Sequence, residues 1–525
     1  MKKILLLAYL FIAANSAFAQ TDAAKYADVI TTDGLKNRLT IIASDEMQGR
    51  ETGTEGQRRA AAYIESQFKA MGLQQPKGLK GYQQLYPLYQ DSLLSSELKV
   101  KDIVAEYGKD FISPLNANEN GSFKGSNLVF VGYGIDDAAY SDYNKVNVKG
   151  KIVVFFYGEP KKEGKYFLNT TGNGRASEWT FPGTAKKLAA AAAKGAVGAL
   201  VINQAAETFS PRMIDMAKKT SVYYPGEKKE KTINFALLSH AFAKNILPDF
   251  DTLLRQVKAG EAFAAVPQAN KISVNYRIKK YRNVINASNV LGVIEGTDKK
   301  DEYVFLTGHY DHLGMRDGKI YYGADDDGSG TVAVMQMAAA FAKAKADGKG
   351  PRRTIVFMTV SGEEKGLWGS EYYSEHPVYP LSKTSVDLNT DMVGRIDTER
   401  KKDDTMNYVY VVGHDKLSSD LPIINEKVNS QYTHLVLDYK FDDPNDPHRI
   451  YFRSDHYNFA RKGVPVLFFY DGMLKADYHK PTDTIDKIEW PLYEKRVKMI
   501  FHTAWDIANR DEMLKRDIPL PEGAR

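Results

Sequence analysis

The sequence predicts an α/β protein with a mainly parallel mixed sheet flanked by helices, interrupted by a small inserted α/β domain. The first observation is the regular alternation of apolar strand-like segments and helices after residue 288. Such alternation is typical of parallel strands joined by helical crossovers. The second observation is a change of pattern between residues 125 and 278, where apolar strands surround an alanine-rich helix. We therefore expect a second core within the first.

The elements of the larger domain can be placed in order along the chain. A helix is expected to begin near Thr54, behind a turn that contains Gly49 and Gly53. Strands are expected at 303–307, 354–360, 385–392, 408–412 and 464–470, and helices at 331–344, 367–373, within 417–428 and at 492–508. In the inserted domain we expect strands at 128–131, 152–156 and 199–202 and a helix at 184–194.

Length and composition agree with this organisation. At 525 residues the chain is too long for one compact core. We expect a signal peptide at 1–19, two parts of the main domain at 20–123 and 279–525, and the inserted domain at 124–278.

Hydrophobic residues at 43% and charged residues at 26% exclude wholesale disorder and a multi-span membrane protein. A net charge of +5, spread along the chain, gives no basic patch for nucleic acid.

The first nineteen residues have the pattern of a cleavable signal peptide. Lys2 and Lys3 precede an apolar run over residues 4–14, and Ala17-Phe18-Ala19 forms an A-x-A site, so cleavage is expected after Ala19. A membrane-spanning helix would need about 20 apolar residues. The sequence has no cysteine, which excludes disulfides and a lipid-modified cysteine anchor. We therefore expect a periplasmic or secreted protein without a membrane anchor after cleavage.

Chemically active side chains follow the predicted strands where they end. His309 follows the strand 303–307, Glu363 and Glu364 follow 354–360, and Asp391 comes directly after residues 385–390. In open α/β sheets, ligands bind at the carboxyl ends of the strands. A single His-x-Asp or Glu-Glu pair is weak as a signal, but their recurrence at successive strand ends indicates a site.

An acidic turn and a late histidine complete the set. The acids 325–327 stand immediately before a helix, and His479 lies in the loop after the last long strand. Acids at a helix start can simply complement its dipole. Three acids packed together without a cation would, however, raise each other's pKa. We therefore predict a metal site.

The residue types indicate which metal and how many ions. Two imidazoles and three carboxylates without a thiolate suit zinc or a related divalent ion. Five ligands exceed a single catalytic zinc, which commonly takes three protein ligands and a water. A carboxylate that bridges two ions about 3.5–4 Å apart resolves the excess. The sequence thus predicts two zinc ions per chain.

These motifs resemble a known family. The segments 308–311, 323–330, 363–367 and 389–394, with Tyr478-His479, are similar to the co-catalytic dizinc exopeptidases, which include bacterial leucyl aminopeptidases and glutamate carboxypeptidases. The segments 131–134, 148–154 and 194–196 resemble a protease-associated domain inserted into that fold.

The resemblance implies a role for each residue. Asp326 would bridge the ions; the remaining metal ligands would be His309 and Asp391 on one zinc, and Glu364 and His479 on the other. Glu363 would be the general base. Tyr478 would donate a hydrogen bond to the tetrahedral oxyanion, with a simple packing role as the alternative. Asp311 would receive the other ring N–H of His309.

Two histidines nearby are weaker candidates. Ser454-Asp455-His456 has the residue types of a catalytic triad, but the three residues are consecutive and no nucleophile elbow surrounds them. His456 is therefore interpreted as a residue that lines the site or supports the ligands. His312 could line the cleft, but an ordinary surface or core histidine is the favoured interpretation.

The function predicted is an aminopeptidase acting on peptide substrates. A carboxypeptidase or dipeptidase on the same scaffold is the alternative, and a noncatalytic binding protein is disfavoured by the intact ligands. A glutaminyl-cyclase-like activity is disfavoured too, since such proteins resemble mononuclear zinc enzymes without the insert. A carboxypeptidase would need an arginine for the free carboxylate, and Arg50, Arg395 and Arg453 are the candidates. The preferred side chain, the oligomeric state and any calcium site stay open.

Overall fold

The structure, a computed structural model, describes residues 22–144, 146–169, 175–205, 207–226, 232–263, 269–401, 406–443 and 445–520. The chain forms two compact units, the first from Met1–Tyr86 and Asn286–Arg525 and the second from Pro87–Ile285. The predicted signal peptide, residues 1–19, lies outside the described residues. No helix among those described combines the length and the apolar character that crossing a membrane requires.

The elements follow in chain order. The chain begins with α1 (Thr32–Ile42), α2 (Glu55–Ala70) and β1 (Gln83–Val100), and the second unit starts within β1. The second unit then contains β2 (Ile103–Val104), β3 (Phe111–Ile112), β4 (Gly121–Gly125), β5 (Leu128–Phe130), β6 (Ile152–Phe156), β7 (Lys161–Lys162), β8 (Lys165–Tyr166), α3 (Thr184–Ala193), β9 (Gly198–Ile202), α4 (Pro211–Lys218), β10 (Phe235–Leu238), α5 (His240–Ala243), α6 (Phe250–Ala259) and β11 (Ala269–Asn270).

The first unit resumes within β12 (Val274–Ile294). It continues with β13 (Lys299–His309), β14 (Met315–Arg316), β15 (Lys319–Ile320), α7 (Gly328–Ala346), β16 (Arg353–Val360), α8 (Trp368–Glu375), β17 (Thr384–Thr390), β18 (Tyr408–Val412), α9 (Asp420–Tyr432), β19 (Val436–Asp438), α10 (His456–Ala460), β20 (Val466–Tyr470) and α11 (Trp490–Asn509).

The sheet of the first unit is mixed and mainly parallel, which confirms the predicted fold class. Its strand order is β19-β18-β20-β17-β13-β16-β12-β1. The central strands β16, β13, β17 and β20 are parallel, whereas β12 and β18 run antiparallel to their neighbours β16 and β20. Every residue of β16, β17 and β20 is buried, because helices and loops cover both faces of the sheet.

The parallel pairing brings the ends of the central strands to one edge. His309 at the end of β13 is paired with Val360 at the end of β16, and Thr390 ends β17 beside Phe469 of β20. The segments that follow these strands therefore start side by side. This is the edge at which an α/β sheet binds its ligands.

The second unit has a sheet of its own with the order β11-β5-β6-β9-β10-β3. Strands β5, β6, β9 and β10 are parallel, and the two outer strands are antiparallel. This unit also contains a buried carboxylate, Asp91, which accepts hydrogen bonds from Lys280, Arg282 and Tyr223 at 2.8 Å each. The charged partners of Asp91 are thus supplied by the returning strand β12.

The predicted insert, 124–278, lies inside the second unit, which already begins at Pro87 and ends at Ile285. Both boundaries fall within continuous strands, β1 and β12, rather than in linkers. Along β12 the burial changes from alternating over 274–281 to continuous over 287–294, so the chain passes from one unit to the other without a turn or a linker.

Candidate functional site

Three carboxylates surround one ring nitrogen of His309 at the end of β13. Its Nε2 atom lies 3.4 Å from Asp326 Oδ1, 3.5 Å from Asp391 Oδ1 and 3.8 Å from Glu363 Oε2. The imidazole is completely buried. These residues come from β13, from the turn before α7, and from the segments after β16 and β17, so the strand ends deliver them as the sequence suggested.

A second group forms on the other side of Asp326. The Nε2 atom of His479 lies 3.2 Å from Asp326 Oδ2 and 3.0 Å from Glu364 Oε2. His312 joins this group, with its Nδ1 atom 2.7 Å from Glu364 Oε1 and 3.8 Å from Asp326 Oδ2. The sequence pattern favours an ordinary core or surface role for His312, whereas the structure brings this side chain to the candidate metal ligands.

The three acids of the turn have distinct surroundings. Asp327 caps α7 and receives main-chain N–H groups of Gly330, His309 and Met392 at 2.8–3.0 Å, so both its oxygens are engaged. Asp325 accepts from the main chain of Gly394 at 2.8 Å through Oδ1. Asp326 instead directs one oxygen to His309 and the other to His479. Of these acids, Asp326 has the geometry of a bridging ligand.

Two further side chains hold this turn in place. The Asp483 carboxylate accepts the main-chain N–H groups of Asp325 and Asp326 at 3.1 Å. The buried Arg50 guanidinium donates to the carbonyl oxygens of Ile42, Tyr310, Tyr322 and Gly323 at 2.7–2.8 Å. Arg50 thus links the residues beside His309 to those before the acidic turn.

Mutual pairing controls the charges of the two groups. Burial would raise the pKa of Asp326, but the imidazoles of His309, His312 and His479 hold it well below its usual range. Burial would likewise lower the pKa of His479, yet Asp326 and Glu364 raise it to about 10. The buried carboxylates therefore stay ionised only when positive charge lies within the cluster. Protonated imidazoles or a metal cation can provide that charge.

The residues fit zinc in spacing and in chemistry. Zinc bonds of 2.0–2.1 Å at tetrahedral angles place neighbouring ligand atoms about 3.3 Å apart. The separations between Asp326 and each of His309 and His479, 3.4 and 3.2 Å, match this spacing. Several buried atoms here also have no hydrogen-bond partner among the described residues: His309 Nε2, Asp326 Oδ2, Glu364 Oε1 and both ring nitrogens of His312.

Glu363 is held beside the first group by Asp311. The main-chain N–H of Glu363 donates to Asp311 Oδ1 at 3.3 Å, and Thr52 donates its hydroxyl to Asp311 Oδ2 at 2.7 Å. The Nδ1 atom of His309 lies 3.1 Å from the Asp311 carbonyl oxygen and 3.6 Å from its carboxylate. Asp311 therefore contacts both His309 and the backbone of Glu363. Burial, together with Asp391 and Glu364, raises the pKa of Glu363 well above its usual range despite the opposing effect of His309.

A small pocket opens beside Glu363, Asp326 and Asp391. Apart from these carboxylates, its lining consists of Met392, Ile450, Arg453, Ser454, Phe468, Tyr470, Leu474 and Tyr478. The Tyr478 ring stacks on His479 at 3.8 Å between centroids. Its hydroxyl oxygen accepts a hydrogen bond from Arg453 at 2.9 Å, which leaves the hydroxyl proton available to another acceptor. Burial raises the pKa of Tyr478, so the hydroxyl stays protonated.

The three candidate arginines have different positions. Arg50 is buried and bound to four carbonyl oxygens. Arg395 pairs with Asp477 at 3.0 Å. Arg453 lines the pocket, with one guanidinium nitrogen bound to Tyr478. Of the three, Arg453 is the one that can reach a substrate in this pocket.

His456, interpreted from the sequence as a residue that lines or supports the site, contacts the pocket residue Phe468. Its Nε2 atom pairs with the Tyr451 carbonyl oxygen at 2.9 Å, and its ring stacks on Phe468 at 4.7 Å. Burial lowers the pKa of His456 to about 3, so it is a neutral core residue. The neighbouring Ser454 is the one that contacts a site strand, where its hydroxyl accepts from Asn389 at 2.9 Å.

Comparison with known families agrees with the geometry. Residues 289–504 match the model of peptidase family M28, and residues 123–246 match the model of the PA domain. A probable leucine aminopeptidase of Arthroderma otae is 27% identical over 226 residues, which are 42% of this chain and 57% of that protein. A probable glutamate carboxypeptidase of Arabidopsis thaliana is 33% identical over 141 residues, 27% of this chain and 19% of that protein.

The chain therefore aligns with between about a fifth and just over half of the length of these relatives. Other relatives are named as probable zinc metalloproteases. Among solved structures, an aminopeptidase from Aneurinibacillus sp. strain AM-1 is 18% identical with a TM-score of 0.49, over 95% of this chain and 99% of that one.

Proposed function

The chain carries a peptidase family M28 domain and a PA domain, and on that premise we propose that it is a zinc exopeptidase that releases N-terminal residues from peptides. The observation that carries the proposal is that the two carboxylate oxygens of Asp326 face different histidines, His309 and His479. Glu363 lies beside His309. That arrangement suits two metal ions that share one carboxylate, with a water molecule held next to a general base.

We assign the ligands from this geometry. His309 and Asp391 would hold one zinc ion, Glu364 and His479 the other, and Asp326 both. Zinc bound here would supply Lewis acidity toward the scissile carbonyl and lower the pKa of a bound water. The spacing of the ligand atoms and their lack of other partners support this assignment.

Glu363 and Tyr478 are positioned to serve the hydrolysis itself. Glu363 would take a proton from the attacking water as its oxygen bonds to the carbonyl carbon. The same carboxyl group would then give that proton to the leaving nitrogen as the C–N bond breaks. Tyr478 would donate a hydrogen bond from its hydroxyl group to the carbonyl oxygen as negative charge develops there. Its contact with Arg453 orients the hydroxyl for this role.

Recognition of a free amine is favoured by the charge of the pocket. Asp326, Glu363 and Asp391 line it, so a protonated α-amino group finds carboxylate partners beside the scissile bond. A free carboxylate would need an arginine clamp. Arg453 alone of the three candidates lines this pocket, and it already donates to Tyr478. A carboxypeptidase remains the second candidate because Arg453 is present and one relative bears that name.

We also propose that the protein is exported and acts in the periplasm or outside the cell. The support is the sequence of the first 19 residues, with its basic start, its apolar run and Ala17-Phe18-Ala19. Edman sequencing of the mature protein from a native host would test this, and a first residue other than Gln20 would contradict the expected cleavage site.

A panel of peptides with blocked ends tests the choice of terminus. An unblocked peptide is compared with its N-acetylated and C-amidated forms under identical zinc loading. We expect acetylation to abolish cleavage and amidation to leave it nearly unchanged. The reverse pattern would establish the carboxypeptidase alternative, and an Arg453→Met variant would then lose activity mainly through a raised KM.

A further inference from the structure

We propose that His312 is an additional ligand of the second metal ion, through its Nδ1 atom. The inference rests on the proposed function, because it assumes that Asp326, Glu364 and His479 hold that ion. It adds a protein ligand that the sequence motifs did not assign, and it makes the two metal sites unequal.

The first support is the direction of the atoms. His312 Nδ1 lies 2.7 Å from Glu364 Oε1 and 3.8 Å from Asp326 Oδ2, while His479 Nε2 lies 3.0 Å from Glu364 Oε2. Nδ1 and Glu364 Oε1 are close, yet neither has a hydrogen-bond partner with proper geometry among the described residues. Both atoms are buried, and their 2.7 Å separation is shorter than the about 3.3 Å between two ligand atoms of one zinc ion, so the two side chains would move apart slightly as the ion binds.

The second support is that the fold makes room for this ring. A Cβ atom on Gly323 would lie 2.5 Å from His312 Cγ, so a larger residue at position 323 would push the ring away. Gly323 also has a φ of +53°, which other residues rarely adopt. The main-chain N–H of His312 donates to the Arg50 carbonyl oxygen at 3.4 Å. The imidazole is therefore fixed, and it is completely buried.

The consequence is an asymmetry between the two ions. The first has His309, Asp391 and the shared Asp326, and so keeps an open position for water or substrate. The second has Glu364, His479, Asp326 and His312, four side chains, which is the number typical of a closed zinc site. The second ion would therefore be the more tightly held of the two.

X-ray absorption spectroscopy of the zinc-loaded, full-length protein tests the proposal without any mutation. Three histidines shared by two ions give an average of about one and a half imidazoles per zinc, and two histidines give about one. We expect the higher value in the wild type and the lower value in His312→Ala. A value near one in the wild type would overturn the proposal and leave His312 as a residue that only positions Glu364.

Zinc competition titrations with a chelator provide an independent measurement. We expect His312→Ala to weaken the tighter site on the order of 100-fold or more, since even supporting residues contribute 10- to 100-fold. The weaker site should be unaffected. His502→Gln is the matched control, because His502 is also buried but stacks on Tyr432 instead of facing the ligands. Equal affinities in wild type and His312→Ala would contradict the proposal, whereas a wild type that binds no zinc would contradict the proposed function instead.

Discussion

Replacing Asp91 by Asn should destabilise the second unit markedly, because the carboxylate is the centre of a buried charge cluster. Its oxygens accept from Lys280 at 2.8 Å, from Arg282 at 2.8 and 3.0 Å, and from Tyr223 at 2.8 Å. The Asp91 side chain is fully buried and that of Lys280 nearly so. Asparagine keeps the shape but removes the charge, which leaves the Lys280 ammonium with the Leu115 carbonyl oxygen at 2.7 Å and the more distant Glu119 carboxylate at 3.6 Å.

The expected loss of unfolding free energy follows from the lowered pKa of Asp91 and from its burial. Burial alone would raise the pKa of Asp91, but hydrogen bonds from Arg282, Lys280 and Tyr223 lower it from 3.8 to about 2. At about 1.4 kcal/mol per pH unit, this difference corresponds to about 2 kcal/mol of unfolding free energy. Breaking a buried pair costs about 3–5 kcal/mol. Because Arg282 is partly exposed and can use solvent, we expect a loss of about 2–3 kcal/mol.

Differential scanning calorimetry of the full-length protein measures the effect. For a unit of about 200 residues, each kcal/mol shifts Tm by about 2–4 °C, so the expected fall is about 5–10 °C. Asp251→Asn is the control, since its pair with Lys244 at 3.0 Å is exposed and should contribute less than about 1 kcal/mol.

The pH dependence of this difference has a definite sign. The folded pKa lies below the unfolded value, so the stabilisation is complete above pH 3.8 and disappears as the pH falls through about 2. Equal stability of Asp91→Asn and Asp251→Asn at pH 7 would show that the charge of Asp91 does not stabilise the second unit.

The remaining predictions concern the site. Asp326→Ala should weaken the binding of both zinc ions, because this carboxylate faces both histidine groups, and two affinities equal to those of the wild type in a chelator titration would contradict this. Glu363→Gln should keep its zinc while kcat falls by roughly 10²-fold or more; near-normal turnover in the zinc-loaded variant would contradict the assignment. Glu364→Gln, by contrast, should weaken one of the two metal sites in a chelator titration.

The sheet and most candidate ligands could be predicted because short runs of apolar and polar residues along the chain indicate them. Apolar runs such as β16 and β20 identify strands, and parallel pairing then brings the residues after them to one edge. Element ends differ by a few residues: α7 begins at Gly328 rather than at 331, because Asp327 caps it through the Gly330 N–H. The sequence shows the acids there but not which of them becomes the cap.

The position of His312 was missed for a different reason. It stands in a loop, where sequence spacing does not fix the direction of a side chain, and its contacts with Glu364 and Gly323 depend on the tertiary fold. A second histidine three positions after a ligand, together with a glycine before the acidic turn, was the available signal. For His456 the sequence could not distinguish a residue that lines the pocket from one that packs against its wall, and its ring stacks on the pocket residue Phe468.

The hydrogen bonds of Arg50 bear on the order in which the protein forms during synthesis. Its acceptors Tyr310 and Gly323 lie 260 and 273 residues further along the chain, beyond the whole second unit. At about 5–20 residues per second, a ribosome needs roughly 13 to 55 s more before the guanidinium of Arg50 can bind these carbonyl oxygens. His479 emerges later still. The nascent chain thus remains without its assembled ligand set until His479 has been made.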